Sequence, residues 1–141
     1  MGKYAFLLLI AILSCKSIKY TSAQLPDKQI IIGESGGFSG IETSFILCAS
    51  GQVFKQIFPA NKTEEITGLD VKKLKKLYKI PWKKKWDKYT YDKPGNLTHY
   101  ISLKNGDKLH KISWSTSDTL VSKELKTYYR DFYQLLNSKS K

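Results

Sequence analysis

The chain has 141 residues, 41% of them hydrophobic and 26% charged, which is the composition of one ordinary folded domain and too short for two full cores. With 13% aromatic residues, 4 prolines and 9 glycines, it is not collagen-like or of low complexity, and general disorder is not expected. The formal net charge is +12, and Arg130 is the only arginine, so lysine supplies nearly all of the positive charge.

The first residues have the pattern of an export signal. Lys3 is followed by an apolar run at 5–13, which is shorter than the roughly 20 apolar residues of a membrane-spanning helix and typical of a signal peptide. The run leads into Ile12-Leu13-Ser14-Cys15, which resembles the lipobox of bacterial lipoproteins. We therefore expect residues 1–14 to be a signal peptide and Cys15 to be the lipidated first residue, because a thiol accepts the lipid and acyl chains such as palmitate hold a protein on a membrane.

Two alternatives to lipidation stay open. A cut after Thr21-Ser22-Ala23 would give simple secretion, and an uncleaved anchor is also possible. On the lipoprotein interpretation, residues 15–27 are the lipidated N-terminus and a tether, since they lack apolar periodicity, and residues 28–141 are a single domain. Cys48 then has no disulfide partner, and we expect it to be a small buried hydrophobe rather than a reactive thiol.

The first half of the domain reads as three strands and a helix. Apolar runs at 30–32, 41–48 and 52–58 predict strands, with Ser50-Gly51 turning the second into the third. Residues 61–68 read as a polar connection. Asp70 is suited to cap a helix, and we expect Pro81 to stop it. The helical spacing is set by Leu69, Val71, Leu74, Leu77 and Tyr78.

The second half reads as a hairpin and a final helix. Residues 96–114 form the hairpin, with Asn105-Gly106 predicted as its two-residue turn. In that register the facing pairs are Leu103 with Lys108, Ile101 with His110, His99 with Ile112, and Leu97 with Trp114. Ser122 is suited to cap a helix that runs to about residue 137. Its apolar stripe is Val121, Leu125, Tyr128, Phe132 and Leu135.

The predicted order is βββαββα. Strands joined in adjacent hairpins favour an antiparallel sheet, here of about five strands, with the helices packed on one face. We therefore expect an α+β fold.

Residues 33–40 contain four glycines between two strands. The segment lacks the spacing of a P-loop or of a dinucleotide-binding fingerprint, so phosphate binding is not expected. Two interpretations remain. In the first, favoured on the residues alone, the glycines supply positive φ in a bulged connection and Phe38 is buried as a core plug. In the second, an exposed loop presents Phe38 or Ile41 to a partner.

The same segment carries a resemblance. Gly36-Gly37-Phe38-Ser39-Gly40 and a strand closed by Ser50-Gly51-Gln52-Val53-Phe54 are followed by Pro94-Gly95-Asn96, Trp114 and a final Tyr/Phe/Leu helix. Over about residues 28–136 this resembles uncharacterised small lipoproteins of Bacteroidota type. The Gly-Gly-Phe-x-Gly core is also similar to emfourin-like inhibitors of thermolysin-type metalloproteases. That second resemblance implies a partner-binding role for Gly36, Gly37, Phe38 and Gly40.

A lysine-rich segment lies between Lys72 and Lys93, with ten lysines against Asp87 and Asp92. A solvated helix face is the simplest interpretation, and contact with an anionic membrane surface is the second. Nucleic acid is not an expected partner, because arginine is nearly absent and export separates the protein from it. The residues considered for an anionic surface are Lys72, Lys73, Lys75, Lys76, Lys83, Lys84 and Lys85.

No catalytic or metal-binding motif is recognisable. His99 and His110 are predicted diagonal neighbours in the hairpin, but two ligands are too few for a zinc site. We therefore expect no enzyme, metal or cofactor, and instead a lipid-anchored binding module in a bacterial cell envelope. The alternative is a structural envelope lipoprotein whose lysine face contacts anionic lipid or polysaccharide. The partner of the module would be a protein, with a protease as the implied class.

Overall fold

A seven-stranded mixed sheet carries two helices in the computed structural model, which describes residues 18–138. The order across the sheet is β4-β3-β2-β1-β6-β7-β5. A short 3-10 turn at Trp86–Lys88 follows the first helix. The elements are β1 (Lys28–Gly36), β2 (Glu42–Leu47), β3 (Val53–Phe58), β4 (Lys62–Ile66), α1 (Val71–Lys83), β5 (Asp92–Lys93), β6 (Leu97–Asn105), β7 (Lys108–Ser115) and α2 (Lys123–Asn137).

The α+β prediction is confirmed, but the sheet is larger than the five antiparallel strands expected. β4 lies inside the predicted polar connection, where it pairs antiparallel with β3 as an edge strand. β5 is a two-residue strand that pairs in parallel with β7, so the sheet is mixed. The order βββαββα is therefore incomplete, because a polar edge strand and a very short strand lack the apolar pattern that marks a half-buried strand.

One face of the sheet packs against both helices, as expected. Alternate strand residues point to this face, because side chains along a strand alternate. α1 contributes Leu74 and Leu77 to this core, and α2 contributes Leu125 and Phe132. The sheet residues of the core are Ile30, Ile32, Phe45, Leu47, Val53, Ile101, Leu103, Ile112 and Trp114.

The caps of both helices are as predicted, but the end of α1 is not. Asp70 accepts a hydrogen bond from the backbone N–H of Lys73 at 3.0 Å, and Ser122 accepts one from Glu124 at 3.2 Å. Pro81 does not stop α1, which continues to Lys83 with the proline buried. The helix tolerates the proline because the carbonyl of Leu77, which the proline leaves free, accepts a hydrogen bond from the phenol of Tyr128 in α2.

The β6–β7 hairpin differs from the predicted register by two residues. The turn consists of Gly106 and Asp107, and Asn105 pairs with Lys108. Gly106 has a φ of +61°, which suits the first central position of a type II′ turn and explains why the turn forms one residue later than predicted. The observed pairs are Leu103 with His110, Ile101 with Ile112, and His99 with Trp114.

The N-terminal segment is held against the opposite face of the sheet. Tyr20 and Leu25 pack against the small second core of Ile46, Cys48 and Phe54. The side chain of Gln52 accepts from the backbone N–H of Tyr20 at 2.8 Å and donates to its carbonyl at 3.0 Å. The described part of the predicted tether is therefore bound to the domain from about Tyr20 onward. The predicted signal peptide and residues 15–17 lie outside the described residues.

Candidate functional site

The glycine-rich connection between β1 and β2 requires glycine for two separate reasons. Gly36 has a φ of +101°, and a Cβ at this position would lie 2.2 Å from the carbonyl oxygen of Asn96. Gly37 donates its N–H to the same carbonyl at 2.8 Å. Gly37 and Gly40 have φ of +79° and +61°, which residues with a side chain rarely adopt. A Cβ added at either position would meet no atom within 4 Å. The base of the loop is therefore fixed to the segment before β6.

Phe38 lies at the tip of this loop and is fully exposed, at 107% of its reference surface. It belongs to neither core cluster, so the expectation of a buried plug is wrong. The physical reason is that the loop is not packed against other atoms here, since a Cβ placed on Gly37 or Gly40 would have no neighbour within 4 Å. Ile41, three residues later, is 50% exposed. Two exposed apolar side chains thus lie on the same glycine-rich loop.

Several connections meet at the same end of the sheet. The N–H of Thr116 donates to the carbonyl of Leu97 at 3.0 Å, which ties the exit from β7 to the entry into β6. Leu120 in the β7–α2 connection is another exposed apolar residue. We call this the loop end, consisting of residues 37–41, 59–61, 94–96 and 116–122. The opposite end holds the 48–52 turn.

The open face of the sheet carries a row of polar side chains near the loop end. Directly paired positions run from Tyr100 in β6 across Gly33, Ser44 and Gln56 to Thr63 in β4. The Tyr100 ring lies over Gly33, where a Cβ would come 2.5 Å from the phenol oxygen. The phenol donates to Glu42 on β2. Burial, together with the bond to Glu42, raises the pKa of Tyr100 above its usual range, so the phenol stays a donor at neutral pH.

This polar row was not predicted. Its members are spread over five strands, and only the register shows that they are neighbours. One signal was present, since a glycine inside a strand often marks the close approach of another group, and Gly33 lies inside β1.

The two histidines are not the diagonal neighbours that the sequence predicted. His99 lies opposite Trp114, whereas His110 lies opposite Leu103, four residues further along β6. His99 is 3.0 Å from a carboxylate oxygen of Glu34, and its ring stacks on Tyr129 at 4.2 Å. His110 lies 2.7 Å from the carbonyl oxygen of Tyr89. Within residues 18–138, no three metal-ligating side chains are grouped to hold an ion.

The predicted lysine surface follows α1 and the turn after it. Lys72, Lys73, Lys76, Lys83, Lys84 and Lys85 are exposed and Lys75 is half-buried. Two of them have acidic partners: Lys73 lies 3.5 Å from Asp70, and Lys84 pairs with Glu124. Of the aromatic residues of this segment, Tyr78 and Trp86 lie in the core, whereas Tyr89 is exposed and stacks on Tyr91.

Cys48 is the cysteine that lies within the described residues. Cys48 is buried, and burial, with a smaller effect from the charge of Glu65, raises its pKa to about 12. Such a thiol is uncharged and unreactive at neutral pH. Cys15, the predicted lipidation site, lies outside the described residues. In the described part of the chain, neither helix is long and apolar enough to cross a membrane.

Comparison with known proteins assigns no family to the chain. No family model matches it, and no curated protein matches it significantly.

Proposed function

We propose that the protein is a lipid-anchored binding module of a bacterial cell envelope that holds a protein partner through the loop at 37–41. A metalloprotease of thermolysin type is the partner class implied by the Gly-Gly-Phe-x-Gly resemblance. The module acts by binding and not as an enzyme. Cys15 carries the lipid.

The observation that carries this proposal is the position of Phe38. A large apolar side chain that is fully exposed contributes nothing to the core, and aromatic residues of this kind are frequent anchors of protein interfaces. The loop base is fixed by the Gly36 and Gly37 contacts with Asn96, so Phe38 is displayed on a constrained backbone. A constrained loop loses little conformational entropy on binding.

The fold separates the proposed anchor from the proposed binding loop. Cys15 is three residues before Ile18, the first described residue, and therefore lies at most about 11 Å from it. The segment then reaches Tyr20, which is bonded to Gln52 beside the 48–52 turn. From that end β1 runs 9 residues to the loop end, about 30 Å away. A protein held at Cys15 therefore presents Phe38 on the side away from the membrane.

An inhibition assay tests the proposed partner class. The full-length protein is expected to inhibit a thermolysin-type protease at micromolar concentration, and Phe38→Ala should weaken inhibition at least tenfold. Leu109→Ala, which removes an apolar side chain of 61% exposure at the opposite end of the sheet, is the matched control. Absence of inhibition by the unmutated protein rejects the protease as partner.

The anchor is tested separately. Cys15→Ser should abolish incorporation of a fatty-acid probe and release the protein from the membrane fraction. Cys48→Ser is the control, since that thiol is buried in the domain. Unchanged labelling and fractionation of Cys15→Ser contradict the lipoprotein interpretation.

A second function is favoured by the exposed lysines of α1. The start of α1 lies beside the 48–52 turn, because a Cβ on Gly51 would meet Val71 at 2.8 Å. Lys72 and Lys75 are thus near the proposed anchor, where anionic lipid would attract them. Lys83, Lys84 and Lys85 lie at the other end of α1. Contact of all seven lysines with the membrane therefore requires the axis of α1 to lie parallel to the membrane surface.

Vesicle binding distinguishes this function from a merely solvated face. Cys15→Ser protein should bind anionic vesicles more tightly than neutral ones, and binding should fall with salt. Lys72→Gln with Lys75→Gln should weaken binding more than Lys123→Gln with Lys126→Gln, which removes the same charge from the start of α2, at the loop end. Equal binding to both vesicle types would reject contact with anionic lipid and would mean that the lysine face of α1 is simply solvated.

A further inference from the structure

We propose that the open face of the sheet beside the loop end is a binding site for a neutral saccharide chain. The site is a cleft of about 370 Å³, within the size range of small-molecule sites. Besides Ile57, its lining residues are Glu42, Ser44, Gln56, Phe58, Asn61 and Thr63. The proposal depends on this cleft alone and not on the role of Phe38.

The polar groups of the cleft match a row of sugar hydroxyls. A sugar hydroxyl both donates and accepts hydrogen bonds. It therefore pairs best with a row of side chains that offers donors and acceptors side by side. Ser44, Gln56 and Thr63 are directly paired across three strands and form such a row. The Gln56 amide donates to the Thr63 hydroxyl at 3.2 Å, which orients its carbonyl oxygen and its second N–H for a ligand.

Glu42 is held in place before any ligand binds. The Tyr100 phenol crosses Gly33 and donates to one carboxylate oxygen of Glu42. The other oxygen has no hydrogen-bond partner within residues 18–138 and can accept from a ligand hydroxyl. A pre-positioned acceptor lowers the entropic cost of binding a flexible chain.

Phe58 supplies the apolar wall. It lies directly opposite Glu42 on β3 and is 58% exposed, although it shares a sheet face with the buried Phe54. The negative face of an aromatic ring attracts the polarised C–H groups of a sugar ring. An open sheet face with one exposed aromatic ring beside a polar row thus fits both surfaces of a saccharide.

The charge of the cleft selects a neutral ligand. Glu42 is the only ionisable side chain among the residues that line it, so an anion would be repelled although the protein as a whole carries a net charge of +12. A cation would find a single carboxylate that is already bonded to Tyr100. The lining is otherwise made of amides, hydroxyls and hydrocarbon, which a neutral polyol satisfies.

Calorimetric titration with neutral hexasaccharides tests the proposal. The probes are those of glucose, xylose, mannose and N-acetylglucosamine, added at millimolar concentration to the full-length protein in a detergent without sugar head groups. We expect saturable binding of at least one probe, unaffected by salt. Phe58→Ala and Gln56→Leu should each weaken it about tenfold, whereas Leu109→Ala, on the far part of the same face, should not.

Three results overturn the proposal. They are the absence of saturable binding to every probe, equal loss in Phe58→Ala and Leu109→Ala, and salt-sensitive binding of putrescine in place of the saccharides. Because Phe58 is largely exposed, its variant is expected to fold, which circular dichroism verifies. Phe38→Ala should leave saccharide binding unchanged, so failure of the cleft and failure of the loop are observed independently.

Discussion

The phenol of Tyr128 in α2 donates a hydrogen bond to the carbonyl oxygen of Leu77 in α1 at 3.2 Å. In a regular helix this carbonyl would accept from the N–H of residue 81, but Pro81 has none. The bond therefore satisfies a buried acceptor that the proline leaves free, and it joins the two helices above the sheet. Trp86 packs edge-on against Tyr128 at 5.2 Å and covers the same junction.

Tyr128→Phe should destabilise the domain by about 1–3 kcal/mol, because it leaves the Leu77 carbonyl buried without a partner. Urea unfolding measures the loss. Tyr89→Phe is the control, since Tyr89 is exposed. Equal stabilities of the two variants would mean that the Leu77 carbonyl finds another donor.

Gly36→Ala should destabilise the domain more than Gly37→Ala. Both positions have positive φ, which costs an alanine about 1–2 kcal/mol. At Gly36 the added Cβ would also lie 2.2 Å from the Asn96 carbonyl, whereas at Gly37 it meets nothing within 4 Å. Thermal unfolding compares them. A smaller loss at Gly36 contradicts the described anchoring of the loop.

Phe38→Ala should change the free energy of unfolding by less than about 0.5 kcal/mol, because the ring is fully exposed. Phe132→Ala removes the same ring from the core and should cost about 3–5 kcal/mol. Urea unfolding of the pair gives the contrast. A core-sized loss for Phe38→Ala would restore the buried-plug interpretation.

Asp70 should make the start of α1 sensitive to acid. The backbone N–H of Lys73 holds the pKa of this carboxyl below its ordinary value of 3.8. A carboxyl with a lowered native pKa stabilises fully above its unfolded pKa, and the contribution disappears as pH falls through the native value.

Asp70→Asn keeps a capping side chain and removes the titration. The stability advantage of the unmutated protein over Asp70→Asn should therefore shrink as pH falls below about 4. Urea midpoints measured across this range test it. If the urea midpoints of the two proteins change with pH in parallel, the charge of Asp70 does not contribute to the cap.

Local signals predicted the parts of the fold that local interactions determine. The apolar runs around Ile31 and Phe45 form strands, and Asp70 and Ser122 cap the two helices, as their sequence neighbours indicate. Pro81 misled the prediction because the carbonyl of Leu77, which the proline leaves free, accepts a hydrogen bond from Tyr128. Tyr128 follows Leu77 by 51 residues, so no local signal reveals this bond.

The parts that failed depend on tertiary partners. β4 is a strand because β3 offers it an edge, and its own charged residues do not indicate this. The exposure of Phe38 depends on the direction in which the loop leaves Gly36, which an aromatic residue between glycines does not reveal. The polar row of Gln56 and Tyr100 exists only once five strands are in register.

Site-specific photo-crosslinking in cells that produce the protein tests whether the loop at 37–41 holds a protein partner, as proposed. A photoreactive residue is placed at position 38 and, as control, at position 109, both of which carry exposed apolar side chains. A discrete protein adduct is expected from position 38 that position 109 does not give. No adduct from position 38, or the same adducts from both positions, would contradict it.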